Sequence, residues 1–150
     1  AIYSGSSGLA DGQYLDLTYE NKKISKEKII DLQRKKTGKL FAFCCESIGI
    51  IKGQSLKKRK KLKNIGLDIG LLFQIADDLI DHKGDIKIVG KPTKSDKIKG
   101  KRTLINLIGY KGTLNFANKL KRKIKSEIIK FGPKSINLLQ LIEFILKRNF

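Results

Sequence analysis

Apolar positions recur at three- and four-residue spacing along most of the chain, and no stretch alternates apolar with polar in the manner of a half-buried strand. The pattern predicts an all-α fold. Residues 2–17 read as a first helix even though Ser4-Gly5-Ser6-Ser7-Gly8 opens it, because small residues also allow close helix packing. Thr18 to Ile24 is polar and turn-like, and Ser25 is placed to cap a helix running through about Lys52, with Glu27 favourable to its macrodipole. That helix is polar over Lys26–Lys36 and nearly all apolar or small over Leu40–Ile51. Gly38 stands at the changeover, where it permits a bend or a close approach for about 1 kcal/mol relative to Ala. Gly53 and Ser55 mark a turn before a long helix over Leu56–Asp81. Gly84 to Gly100 is the one long irregular connection, of a length that is usually functional or disordered. Beyond it the spacing predicts a short helix over Thr103–Ile108, another over Thr113–Ile129, and a last one with Pro133 at its first position, through about Lys147. No fixed-period repeat is present.

The long helix carries the chain's most unusual chemistry. With 33 Lys and Arg against 14 Asp and Glu, the chain nevertheless sets Asp77, Asp78, Asp81 and Asp85 close together. At about 100° per residue, these four and Gln74 share one arc, while Ile65, Ile69, Leu72, Phe73, Ala76 and Ile80 fill the other side. One face packs and the other presents hard oxygen donors, which suit Mg²⁺ completed by water and phosphate. A solvated acidic face is the bland alternative. Against it, a helix face exposed in so Lys-rich a chain should carry i,i+4 Lys partners, and no Lys or Arg occurs between Asn64 and His82.

Composition bounds the rest. The chain begins with Ala1, contains no Met and shows no secretory leader, so a piece of a longer protein is expected. The net charge of +19 raises nucleic acid or an anionic membrane as a partner. However, the excess is mostly Lys spread over nearly every polar face, which a compositional habit of the source genome explains as well. The densest run, Lys57 to Lys63, reads as a solvated helix start, and no aromatic-interleaved RNA motif accompanies it. Cys44 and Cys45 are adjacent, unsuited to an ordinary disulfide or a zinc site, and read as small core residues in a reducing compartment. No apolar run is long enough to span a bilayer, so no transmembrane segment and a cytoplasmic location are expected.

Four ordered motifs carry a resemblance. Gly8-Leu9-Ala10-Asp11-Gly12-Gln13-Tyr14-Leu15-Asp16-Leu17, Lys36-Thr37-Gly38, Phe73-Gln74-Ile75-Ala76-Asp77-Asp78-Leu79-Ile80-Asp81, and Gly90-Lys91-Pro92 through Ser95-Asp96 to Gly100-Lys101 are similar to the motifs of the isoprenyl (polyprenyl) diphosphate synthases. Within that family the pattern is closest to bacterial farnesyl and geranylgeranyl diphosphate synthases, and it runs down to Arg148. A lone DDxxD is weak; four motifs in order are strong.

The resemblance implies an all-α bundle around a deep cavity, with two aspartate-rich motifs facing each other at its mouth. Asp77, Asp78 and Asp81 match the second, so residues 1–150 look like the C-terminal half of one such domain, its N-terminal helices absent. It further implies that Asp77, Asp78 and Asp81 hold Mg²⁺ against an allylic diphosphate, which is condensed with isopentenyl diphosphate. Lys36 and Lys91, with Lys101 beside them, would contact diphosphate oxygens, Thr37 and Gln74 would hydrogen-bond, and Gln13 with Asp16 would line or brace the site. Lys36, Asp77 and Lys91 would carry the catalysis. A homodimer is the implied assembly of the complete protein, and the fragment alone is expected to be inactive. Two positions depart from the pattern: the family usually has a second Gly where Asp11 stands, and Tyr-Pro where Leu104-Ile105 follows Thr103. A class I terpene cyclase and a non-catalytic partner subunit of a heteromeric synthase are the alternatives, with a nucleic-acid-binding protein last.

Overall fold

A computed structural model of the chain describes residues 1–83 and 102–148. Six α-helices account for most of them: α1 (Leu9–Thr18), α2 (Lys26–Gln33), α3 (Lys39–Ile51), α4 (Leu56–Lys83), α5 (Leu104–Ile128) and α6 (Ile136–Lys147). No strand occurs among the described residues. A π-helical turn, Arg34–Gly38, joins α2 to α3, so the one expected helix is present but widened and underwound where its composition changes.

The helix boundaries follow local chemistry. Ser25 caps α2, its hydroxyl oxygen accepting from the Lys28 amide at 3.4 Å. Asn106 Oδ1 accepts from the Thr103 amide and hydroxyl, each at 2.8 Å, and starts α5. Gly109, with φ of 70°, breaks α5 internally at the gap between the two expected segments. Thr113, fully buried, donates its hydroxyl to the Gly109 carbonyl at 2.9 Å. Pro133 opens a 3₁₀ turn, Pro133–Ser135, and α6 follows from Ile136. The first helix is shorter than expected: residues 2–8 form turns and α1 begins at Leu9. The Ser and Gly run gives up its backbone bonds to local turns, as Gly5 N–H to Ala1 O at 2.8 Å.

α4 is the axis of the molecule, packed against α3, α5, α6 and the π turn. Ile65, Ile69, Leu72, Ala76 and Ile80 are buried as their spacing demanded, while Phe73 is only half-buried. Leu71, Ile75 and Leu79 are buried too, so the apolar surface of α4 extends well past one face. Glycines allow the tightest contacts. A Cβ on Gly66 would fall 2.5 Å from the Phe41 carbonyl oxygen, and one on Gly70 would fall 2.5 Å from the Gly38 Cα. α3 and α4 therefore meet backbone to backbone.

α3 packs only one side, burying Ala42 and Gly49, and this corrects the reading of the cysteines. Cys44 is exposed; Cys45 is half-buried, its thiol pushed up by burial first and by Cys44 second. No described helix is long and apolar enough to cross a membrane.

Ion pairs tie α4 to the far end of α5. Glu127 accepts from Lys130 at 2.5 Å and pairs with Lys61 at 2.8 Å, and these hydrogen bonds hold its carboxyl at about 2, well below the ordinary 4.5. A folded pKa below the unfolded one means that the stabilisation is complete above the unfolded value and is lost as pH falls through the folded one. The melting temperature of the chain should therefore exceed that of Glu127→Gln at pH 6, with the gap closing as pH is lowered toward 2. A gap independent of pH would assign the effect to something other than this carboxylate.

Candidate active site

Three elements bring the site residues together: α1, the π turn and the C-terminal third of α4. The π turn matters because its extra residue per turn rotates Lys36 and Thr37 relative to a regular helix. Gly12 makes the approach of α1 possible, since a Cβ there would lie 2.2 Å from the Lys36 amide nitrogen. Lys36 Nζ pairs with Asp16 across that contact. Asp11, the residue standing where the resembled pattern has glycine, pairs with Lys35 at 3.1 Å, and Lys35 also holds Asp31 at 2.9 Å. Hydrogen bonds to Asp31 first and Asp11 second raise the Lys35 pKa. The additional negative charge is thus neutralised by the neighbouring lysine and leaves Lys36 to Asp16.

The carboxylates of α4 do not form a uniform solvated row. Asp78 and Asp81 are buried, at 5% and 7% exposure, while the Asp77 side chain is 29% exposed. The Gln33 amide donates to Asp78 Oδ2 at 2.9 Å, the Gln74 amide donates to Asp78 Oδ1 at 3.0 Å, and the Thr37 hydroxyl donates to Gln74 Oε1 at 3.1 Å. Thr37, Gln74 and Asp78 form one directed chain of donors ending on a carboxylate. Burying a charge so deeply is tolerable only with such bonds. Asp77 faces Arg148, whose guanidinium lies 3.2 Å from Asp77 Oδ1 and 4.4 Å from the centre of the Phe73 ring.

Several residues here were invisible to sequence reasoning. Gln33 sits in a polar half-helix with nothing to distinguish it, yet it is 4% exposed and bonded to Asp78. Asp68, also on α4, is buried between Arg34 at 2.6 Å and Lys123 at 2.7 Å, and so anchors the π turn from the opposite side. Only its isolation in a lysine-rich sequence could have flagged it. Gln13 is exposed. Lys91, Lys101 and Asp85 lie outside the described residues. Among the described residues no three carboxylate, His or Cys side chains converge on one point.

The all-helical bundle built around α4 is a fold shared with solved isoprenyl synthases. The chain superposes on a geranyltransferase of Helicobacter pylori, solved with magnesium and isoprenyl diphosphate, with a TM-score of 0.81 and 29% identity, covering 98% of this chain and 48% of that one. It superposes on a Zymomonas mobilis FPP/GFPP synthase with a TM-score of 0.80 and 35% identity, covering 96% of this chain and 47% of that one. In sequence it is 32% identical to the farnesyl diphosphate synthase of Micrococcus luteus over 146 residues, which is 97% of this chain and 50% of the relative. The chain thus spans about half the length of these relatives. Residues 2–139 match the polyprenyl synthetase family model, and the chain belongs to that family.

Proposed function

We propose that this chain is the C-terminal half of a chain-elongating prenyltransferase that condenses an allylic diphosphate with isopentenyl diphosphate. The observation that carries the reading is the Thr37–Gln74–Asp78 chain, which ties the Lys-Thr motif to the aspartate motif of α4 through bonds of 3.1 and 3.0 Å. Together they set a cation, a hydroxyl donor and carboxylates around one end of the bundle. An allylic diphosphate needs that combination.

The donor set suits Mg²⁺, which accepts one or two protein carboxylates and fills its octahedron with water and phosphate. Asp77 and Asp81, one helical turn apart, would hold the metal, with Asp78 beside them fixed by its two amides. Absence of a three-carboxylate cluster among the described residues is compatible with a metal completed by substrate and by a second acidic motif. Bound there, Mg²⁺ supplies Lewis-acid stabilisation of the leaving diphosphate.

The chain's own residues do the rest. Lys36, held by Asp16 with hydrogens to spare on its ammonium, offers a compact positive charge to diphosphate oxygens whose charge grows as the C–O bond breaks. Thr37 and Gln74 orient that group. Lys91 and Lys101 would add further cations, Gln13 would brace the site with Asp16, and the complete protein would be a cytoplasmic homodimer. Helix walls would keep water from the allylic cation until the C=C bond of isopentenyl diphosphate attacks it.

The isolated 150-residue chain should not turn over isopentenyl diphosphate with an allylic primer. Co-expression with the N-terminal half of a close relative should restore turnover dependent on Mg²⁺. Activity in the isolated chain would refute the half-domain reading; a restored complex that cyclises its allylic substrate would replace elongation with cyclase chemistry.

A further inference from the structure

The end of the bundle remote from the carboxylates has a character of its own. There α3 turns into α4 through Gly53, whose φ is 59°. Ile51 at the tip is 79% exposed and Leu56 across the turn is 68% exposed, the first and third most exposed of the large apolar side chains described. Ile48 and Ile50 are also exposed. Between residues 47 and 67 stand seven Lys or Arg and no acidic residue. Beside the tip lies a depression of about 430 Å³ with Lys52, Lys58, Lys61 and Lys130 around an apolar wall that includes Ile48 and Phe131. Lys61 and Lys130 share Glu127, and Lys52 and Lys58 are exposed.

Two protruding aliphatic side chains beside Lys52, Lys57 and Lys58, which are exposed and stand apart from the Glu127 pairings of Lys61 and Lys130, fit one kind of partner. We propose that this hairpin tip docks on an anionic lipid bilayer, Ile51 and Leu56 entering the boundary between headgroups and acyl chains while Lys52, Lys57 and Lys58 face lipid phosphates. Charge complementarity selects this occupant. A protein partner would have to carry an equal acidic patch, and a single-stranded nucleic acid is held by stacking on aromatic rings, which neither protruding side chain offers. The aspartate end of α4 lies about 28 Å away along the helix, from 19 residues at about 1.5 Å each, so the proposal is independent of the catalytic reading.

Cosedimentation with vesicles of the chain co-expressed with the N-terminal half of a close relative tests it, and loss of all vesicle binding when that half is present would overturn it. Binding to mixed phosphatidylcholine–phosphatidylserine vesicles should exceed binding to phosphatidylcholine alone and weaken with added salt. Each of Lys52→Gln and Lys58→Gln should weaken it about fivefold. Ile51→Asp with Leu56→Asp should abolish it with an unchanged circular dichroism spectrum, both positions being exposed, whereas Phe144→Asp on α6 should not. Equal binding to neutral vesicles, loss of binding with Phe144→Asp in place of the tip variants, or tip variants that change only the oligomeric state would each overturn the proposal. So would an affinity for duplex DNA that exceeds vesicle binding and is unaffected by the Ile51 and Leu56 changes.

Discussion

In the assembled synthase, Asp77→Ala should lower turnover about a hundred- to a thousandfold while the melting temperature stays within a few degrees of the parent, if loss of a metal-bound carboxylate is comparable to loss of one preorganised stabilising donor. The side chain is 29% exposed and, among the described residues, pairs with the half-buried Arg148 guanidinium, so the fold has little to lose. Steady-state rates with saturating Mg²⁺, beside a thermal melt, separate the two effects. Near-normal turnover would remove Asp77 from the proposed metal site. Asp78 is the poorer probe because its two amide bonds to Gln33 and Gln74 make any substitution structural as well.

The second large effect concerns folding. Gly66→Ala adds a methyl that must sit 2.5 Å from the Phe41 carbonyl oxygen and 2.6 Å from the Ala42 Cα. Helix propensity alone would raise stability by about 1 kcal/mol. Overpacking against backbone, which has no rotamer to yield, should cost about 3 kcal/mol. A net loss of about 2 kcal/mol is expected, read as a melting temperature about 5 °C lower. A rise in melting temperature would mean that α3 and α4 separate freely, and with them the Gly38–Gly70 contact under the π turn.

Much of this architecture was legible because it rests on local rules. The period of α4, the Ser25 cap, the weak point at Gly38 and the break within residues 103–129 each follow from residues near in sequence. The grouping of Thr37, Gln74 and Asp78 was legible for a different reason, the resemblance of ordered motifs. What escaped depends on pairings distant in the chain. Gln33 and Asp78 are 45 residues apart, and Lys123 and Asp68 are 55 apart, with no local pattern announcing either. The exposure of Cys44 escaped for a related cause: an apolar helix looks the same in sequence whether one side or two are covered.

The enclosure of α4 has a consequence for how this scaffold can change. Its carboxylates and its packing residues alternate along a single rod, and the amides that hold Asp78 come from the same rod and from the segment lying on it. Chemistry and fold therefore cannot drift separately: a lineage or a designer seeking a new reaction here must exchange α4 together with the α2–α3 stretch, as one inherited cassette.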